Sequence, residues 1–457
     1  MRDSRDPRSE DTITAIATAA GGGVGIIRVS GPDAISTAVR VFRARTIDWY
    51  RHPRVMMLGR LVDPAVPPDH PDHVLDEALA VAFHEPKSMT GEDVVELHVH
   101  GGALHLRRCL DLIIRCGARL ADPGEFTRRA FLNGRLDLTR AEAVSDLVSA
   151  KTDQALRQAR AQLRGALHDK VMELRLRLLD LRARLEVNLD FPDEDIPPAD
   201  LAVLAAAART LGDDLLALAG TYRRGRLLRE GARVVLAGPP NAGKSSLFNA
   251  LVAHDRAIVT AIPGTTRDTL EETIDVLGIP VVLIDTAGLR DAGDPIEALG
   301  IQRTEDAIAA ADLVLCLVPP GEEAPDLGAA QAHALVVHSK ADLRDPTRER
   351  ATLSVSAATG DGMDALREAI ARHLDAGREA DQGGLVIVHE RQFQALSNAG
   401  EAALRAASLL APSEHAQPPE LAAVDLQEVM DELHALVGQT TIEDVLDRLF
   451  SSFCIGK

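Results

Sequence analysis

The sequence predicts a multidomain protein that combines α/β and all-α architecture: an N-terminal α/β domain, a discontinuous helical bundle, and a P-loop nucleotide domain inserted into that bundle. Three observations carry the prediction. Strand-like and helix-like segments alternate over residues 11–133. Leucine-spaced helical segments occupy 137–190, 199–229 and 386–452. Between the last two, Gly238-Pro-Pro-Asn-Ala-Gly-Lys-Ser245 fits the phosphate-loop pattern G-x-x-x-x-G-K-[ST]. The expected boundaries are 1–133, 134–230, 231–380 and 381–457, the second and fourth being two segments of one helical domain. A chain of 457 residues is long enough for two to four domains.

In the N-terminal domain, Ala78–Phe83 and Val94–His100 read as strands, and Leu104–Cys116 reads as a helix stopped by Gly117. His98 and His100 share one strand face. With no third ligand placed nearby, a hydrogen-bonded face is favoured over a metal site. In the bundle, Leu163, Leu167, Val171, Leu174, Leu178, Leu181 and Leu185 recur every three or four residues and form a seam. Thr139-Arg-Ala-Glu142 and Thr440-Thr-Ile-Glu443 read as capping boxes. Phe191-Pro-Asp-Glu-Asp-Ile-Pro-Pro198 breaks the helices as an acidic turn. From Lys151 to Arg184 there are nine basic residues against four acidic, a face open to RNA or a partner but first of all a solvated helix surface.

In the inserted segment, Arg233–Ala237 reads as a buried strand feeding the loop, and Ser246–Val252 as the helix after it. Loop glycines let backbone N–H groups face an anion at the helix N-terminus. Lys244 would reach the β- and γ-phosphates, and Ser245 would ligate Mg2+. Ile258–Asp268 suits a first switch, with Thr266 offering a second hydroxyl to Mg2+. The strand Val281–Asp285 ends in a carboxylate that would hold the metal through water, and runs into Thr286-Ala-Gly288, whose Gly288 N–H would sense the γ-phosphate. Strands Leu313–Val318 and Leu335–His338 follow, the latter leading into Ser339-Lys-Ala-Asp342, and Ser354-Val-Ser-Ala357 begins a loop toward the base. This is the order of a Ras-like domain. Asp342 selects guanine, because a carboxylate accepts two hydrogen bonds from its N1–H and exocyclic amine. Ser339 stands where the usual motif has Asn. Leu289 stands where Ras-type enzymes place the water-orienting Gln, so another group must supply charge and position water.

Composition narrows the classes. Hydrophobic residues make up 46% but aromatics only 3%, so the cores must be aliphatic. A net charge of −19 excludes nucleic-acid binding by overall charge. No apolar run is long enough to span a membrane, the N-terminus is polar, and the cytoplasm is expected. The four cysteines show no metal spacing. Cys109, Cys116 and Cys316 read as packing residues, and the role of Cys454 is open.

From end to end the chain resembles the MnmE/TrmE family of tRNA-modifying GTPases. The marks are Asp11-Thr-Ile, Gly23-Val-Gly-Ile-Ile-Arg28-Val-Ser-Gly31, Gly91-Glu-Asp-Val-Val-Glu96, His100-Gly-Gly102, Pro123-Gly-Glu-Phe-Thr127 and Ala130-Phe-Leu-Asn133. They continue with the phosphate loop, Gly264-Thr-Thr-Arg-Asp268, Asp285-Thr-Ala-Gly-Leu-Arg290 and the ending Phe453-Cys-Ile-Gly-Lys457. The resemblance implies a K+ ion held by Asn241, Thr260, Ile262 and Thr265, with G domains of two subunits meeting across it, and Glu297 as the water-orienting acid beside Lys244 and Gly288. The nucleotide set becomes Asn241, Ala242, Gly243, Lys244, Ser245, Ser246, Thr260, Thr265, Thr266, Asp285, Gly288, Ser339, Lys340, Asp342, Ser356 and Ala357. The resemblance further implies a homodimer whose N-terminal domain binds a 5-formyl-tetrahydrofolate-type one-carbon donor through Arg28, Glu96, Arg135 and Lys457. It implies a complex with the flavoprotein MnmG, which carries FAD, acting at C5 of the wobble uridine of certain tRNAs. The rival expectation is a ribosome-assembly or RNA-binding switch GTPase that leaves RNA chemically unchanged.

Overall fold

The computed structural model describes residues 11–44, 49, 51–190, 200–254, 271–285, 305–325, 328–343, 353–374, 384–412, 418–438, 443–451, 453 and 456. The acidic turn at 191–198, both switch segments and the Thr440–Glu443 capping box fall wholly or largely outside these residues. The chain divides into two compact units, 1–145 with 434–457, and 146–433. The last residues therefore group with the N-terminal unit rather than with the bundle.

The first unit is built on a seven-stranded sheet. Its strands are β1 (Ile13–Ile16), β2 (Val24–Ser30), β3 (Phe42–Arg43), β4 (Met57–Val62), β5 (Val74–Phe83), β6 (Val94–His100) and β7 (Arg119–Leu120), in the order β3-β4-β5-β6-β2-β1-β7. Strict alternation sorts β2 and β6 into two faces. Ile27, Val29, Val95, Leu97 and Val99 are buried in the core with α1 (Ala34–Val41) and α2 (Ala103–Arg115). The opposite face carries Arg28, Glu96 and His98, brought side by side by the antiparallel pairing of β2 with β6. Gly117 follows α2 with φ 113°, a left-handed stop. Helix α3 (Glu125–Leu132) packs against the C-terminal helix Glu443–Ser451, and Phe450 and Phe453 join Leu138 and Ala141 in a small core.

Helix α4 (Leu138–Ser149) does not begin with the expected box at Thr139. Asp137 is the cap: its Oδ1 accepts from the Arg140 N–H at 3.0 Å and from the Thr139 hydroxyl. A carboxylate two residues earlier competes better for the free amides than the Thr hydroxyl does. The two histidines serve different partners. His100 Nδ1 lies 2.7 Å from Asp76 Oδ1, His105 Nε2 lies 2.9 Å from Asp76 Oδ2, and His98 turns toward Glu96. Among the described residues no group of three His, Cys, Asp or Glu can hold a metal ion. Cys109 is buried, and burial with Asp76 nearby pushes its thiol up to about 12, so it is a packing residue. Cys116 is half-buried and Cys316 buried, both with raised thiols.

The second unit holds α5 (Asp153–Leu163), α6 (Ala166–Asp190), α7 (Leu201–Ala219) and α8 (Tyr222–Glu230) before the inserted segment. After it come α10 (Met363–Leu374), α11 (Glu390–Leu410) and α12 (Pro419–Val437), the last running into the first unit. The seam is real from Leu167 to Leu185, every member buried, while a break at Arg164-Gly165 leaves Leu163 on α5. Helices α7 and α11 touch backbone to backbone: a Cβ on Gly212 would lie 3.0 Å from the Gly400 carbonyl oxygen. Between α8 and α10 the chain forms a five-stranded sheet of β8 (Ala232–Ala237), β9 (Glu271–Val276), β10 (Ile279–Asp285), β11 (Leu313–Val318) and β12 (Ala334–His338), ordered β12-β11-β8-β10-β9. It is parallel except for the β9–β10 hairpin, and α9 (Lys244–His254) and α10 pack on it. No helix among the described residues is long and apolar enough to cross a membrane.

The chain leaves the helices through α8 and returns at 384–389, and these two stretches are bound together. Ile387 N donates to the Thr221 hydroxyl at 3.0 Å, Gln162 Nε2 to the Val386 carbonyl at 2.9 Å, and Gln158 Nε2 to the Gly384 carbonyl at 3.2 Å. Asp146, at the end of α4, takes Arg229 Nε at 3.0 Å and His389 Nε2 at 2.9 Å.

A charged network locks α3 to β1. Arg129, 3% exposed, reaches Asp11 Oδ1 at 2.6 Å, Glu125 Oε1 at 2.9 Å and Glu92 Oε2 at 3.3 Å, and Arg119 reaches Asp11 and Glu125, both at 2.7 Å. Burial alone would raise Asp11 and Glu125, but hydrogen bonds from Arg119 and Arg129 outweigh it and hold both carboxyls below their ordinary 3.8 and 4.5. A depressed folded-state pKa contributes stability that is complete above the unfolded values and lost as pH falls through the folded ones. Urea titrations at stepped pH are therefore expected to show the first unit weakening below about pH 4. Arg129→Met is expected to cost about 3–5 kcal/mol at pH 7 and to flatten the acid slope. An acid slope identical in the variant would overturn the assignment.

Candidate functional site

The phosphate loop is shaped by three left-handed residues. Gly238 has φ 151°, and a Cβ there would lie 2.6 Å from the Leu317 carbonyl oxygen, so the loop starts pressed on β11. Asn241 (φ 61°) and Gly243 (φ 92°) flank Ala242, which is fully buried. Turns of this kind point successive N–H groups inward and favour an anion. Lys244 opens α9, 8% exposed, and its Nζ donates to the Pro239 and Gly238 carbonyls at 2.9 and 3.1 Å. The ammonium is thus held at the loop rather than in solvent. Ser245 and Ser246 are exposed on the first turn of α9, and Asn241 is exposed beside them. Asp285, 5% exposed, ends β10 and is registered with Leu236 near the end of β8, at the edge of the sheet where the loop begins. Hydroxyl and carboxylate oxygens at a helix N-terminus are the donor set of a hard cation such as Mg2+.

The base-side loops converge from β12 and from the segment after it. Ser339 N donates to the Val318 carbonyl at 3.1 Å, and Ala341 N to that of Val355 at 3.0 Å. Lys340 between them is left-handed, φ 54°. Asp342 lies in a short 3-10 turn, and Ser356, fully buried, donates from Oγ to Asp342 Oδ1 at 2.6 Å. Ala357 follows in the turn after Ser356. Ser339 is 4% exposed and its Oγ has no hydrogen-bond partner among the described residues. The sequence places Ser356 only in a loop toward the base. Its role in aiming the Asp342 carboxylate is a contact between segments that nothing local in the sequence signals.

In the first unit, Arg28 and Glu96 are cross-strand partners. Arg28 Nε and Nη2 both reach Glu96 Oε1 at 2.9 Å, Nη1 donates to the Gly456 carbonyl at 3.3 Å, and the guanidinium sits 5.6 Å from the Phe126 ring centre. Arg28 is therefore paired with Glu96 on the sheet face. Glu96 Oε2 faces His98 Nε2 at 3.5 Å, and that nitrogen is enclosed with no hydrogen-bond partner among the described residues. His98 is the residue the sequence reading missed as part of this site. The i, i+2 spacing from Glu96 on one strand face was the available signal. Arg135, in the loop between α3 and α4, donates from Nε to the Ser88 carbonyl at 3.1 Å. Thr260, Ile262, Thr265, Thr266, Gly288, Glu297, Cys454 and Lys457 lie outside the described residues.

Two family models match: "GTP-binding protein TrmE N-terminus" over residues 12–135 and "MnmE helical domain" over 138–454. The tRNA modification GTPase MnmE of Symbiobacterium thermophilum is 44% identical over 98% of this chain and 100% of its own. Those of Natranaerobius thermophilus and Geobacter sulfurreducens are 40% and 42% identical over 98% of this chain, and over 100% and 99% of their own. Among solved structures, the G domain of the T. maritima FeoB iron transporter aligns with 31% of this chain and 98% of its own at 23% identity. Its TM-score is 0.22, too slight a likeness to carry an argument.

The Ser356–Asp342 bond generates a specific expectation. Ser356→Ala leaves the Asp342 carboxylate free to rotate and is expected to weaken GDP binding by about tenfold, the effect of one charge-assisted hydrogen bond. Isothermal titration with GDP checks it, and unchanged affinity would remove Ser356 from the site.

Proposed function

The chain belongs to the MnmE family of tRNA modification GTPases, and from that premise we propose that it is a K+-activated, Mg2+-dependent GTP hydrolase. In this reading it works in the cytoplasm as a homodimer with the flavoprotein MnmG to add a carboxymethylaminomethyl-type group to C5 of the wobble uridine, U34, of certain tRNAs. The observation that carries the reading is Asn241. Its left-handed backbone places an exposed amide in the loop next to buried Lys244. A K+ ion there would supply the positive charge that Leu289 and the absence of an evident arginine finger leave missing. Asn241, Thr260, Ile262 and Thr265 would hold that ion. Ser245 and Thr266 would hold Mg2+, with Asp285 acting through water.

Each residue then has a defined task. Lys244 neutralises the β- and γ-phosphates, the loop amides of Ala242 and Gly243 fix their orientation, and Gly288 senses the γ-phosphate. Glu297 orients the attacking water. Asp342, aimed by Ser356, selects guanine, while Lys340 covers the ring. Hydrolysis in this scheme drives rearrangement of the protein rather than carbon chemistry. For the one-carbon donor, the enclosed and unpartnered His98 Nε2 beside Glu96 Oε2 is a polar edge suited to a heterocycle with both donors and acceptors. Arg28 would hold Glu96 oriented there, with Arg135 and Lys457 supplying further charge.

Two measurements test the proposal. GTP turnover by the full chain is expected to be at least about tenfold faster in K+ than in Na+, and Asn241→Ala to abolish the difference. Equal rates in both salts would remove the K+ mechanism. Mass spectrometry of wobble uridines from a strain lacking this gene is expected to show loss of the modified nucleoside. An unchanged profile would favour the switch that leaves RNA unmodified.

A further inference from the structure

The basic run from Lys151 to Arg184 separates into two parts once ion pairs are resolved. On α6 the cations are matched. Lys170 pairs with Glu173 at 2.9 Å, Arg177 with Asp214 at 2.6 Å, Arg182 with Glu186 at 3.4 Å and Arg184 with Asp180 at 3.0 Å. Arg175 has no acid partner among the described residues, but it is only half-exposed and its Nε is enclosed. On α5 and its C-cap the pattern is the opposite. Arg157, Arg160 and Arg164 are all exposed, and none has an acidic partner within 4.0 Å among the described residues. Even Asp153, one turn before Arg157, makes no pair with it.

The spacing puts these three guanidiniums on one stripe. At about 100° per residue they fall within roughly 60° of arc, and at about 1.5 Å rise they span about 10 Å. The other side of α5 is occupied: Ala155, Ala159 and Gln162 are buried, and Gln158 and Gln162 hold the returning chain. The helix is anchored at its start as well, where Thr152 caps it through the Ala155 N–H and donates to the Gly278 carbonyl in the β9–β10 turn. A fixed helix thus presents a straight row of unmatched arginines. The helix dipole favours cations near the C-terminal end, which covers Arg160 and Arg164 but not Arg157 in mid-helix. In a chain of net charge −19, acids to pair them are abundant, and α6 uses such acids for its own cations.

We propose that the Arg157–Arg160–Arg164 stripe is a docking surface for the phosphodiester backbone of RNA. The inference rests on the reading above that the protein acts on tRNA, and it supplies the local basic patch that an acidic chain needs. Arginine suits the task because its planar fork meets phosphate oxygens in pairs. Backbone contacts of this kind position RNA without reading its sequence.

The test compares two full-length variants that lose equal charge. R157A/R160A/R164A removes the unmatched stripe, and K170A/R177A/R184A removes matched cations. Filter binding with unfractionated tRNA, across a salt series, reads affinity, and far-UV circular dichroism confirms that both are folded. The stripe variant is expected to bind at least about tenfold more weakly at low salt, with a salt slope shallower by about 2–3, while the matched-cation variant stays near the parent. Equal loss in both variants, or none in the stripe variant, overturns the stripe while leaving the tRNA reading intact. If the parent itself does not bind tRNA, both fall. An independent measurement on the unaltered protein covers the case of misfolding. Phenylglyoxal modification read by mass spectrometry should show Arg157, Arg160 and Arg164 protected by tRNA, and full reactivity in the presence of bound tRNA overturns the proposal.

Discussion

The second unit depends on one constraint: the chain that leaves the helices must come back to the place it left. Asp146 enforces it. One buried carboxylate binds Arg229 from the outgoing helix and His389 from the returning segment, partners 83 and 243 residues away in sequence. Around it, Gly225 lies so close to the Ile387 carbonyl that any side chain would collide, and Tyr222 stacks on Phe393 with ring centres 5.0 Å apart. A buried carboxylate is costly to desolvate unless fully paired. Here two cationic or hydrogen-bonding partners occupy both oxygens, so the cost becomes geometric specificity. The nucleotide loops can be arranged on the inserted sheet because its two connections to the helices are held side by side.

Both halves of the nucleotide site use backbone conformations that non-glycine residues avoid. Asn241 at φ 61° and Lys340 at φ 54° lie in loops at the C-terminal ends of parallel strands β8 and β12. That is where open α/β sheets form their ligand crevices. Such strain persists only where surrounding structure overdetermines it. The buried Ala242 and Lys244 do so for the first loop, and the Ser339 and Ala341 backbone bonds do so for the second.

What was legible in the sequence follows from locality. Period-two alternation placed β6 at Val94–His100 to the residue, and the phosphate loop, the strand before it and the seam of α6 were readable from short windows. Near misses were also local: Asp137 rather than Thr139 caps α4, because two oxygen acceptors two residues apart compete and only geometry decides. Most of the unread features join separate segments. Ser356 aims Asp342 across a loop, Arg28 finds Glu96 through strand pairing 68 residues apart, and His98 acquires meaning only beside that pair. Likewise the charge count over 151–184 is visible in sequence, whereas the difference between matched and unmatched arginines is not, since Asp214 lies on another helix.

The left-handed backbone at Asn241 has an evolutionary corollary. A side chain held there generally costs roughly 1–2 kcal/mol that glycine would not, and less for asparagine, whose short polar side chain tolerates this region. Substitution to glycine would therefore be a stabilising step open to a single mutational event, and drift under selection for folding alone would run in that direction. In the proposed K+ site, the amide oxygen of Asn241 would be what glycine cannot supply. Stabilising this loop by substitution to glycine would remove the side chain on which the proposed ion site depends.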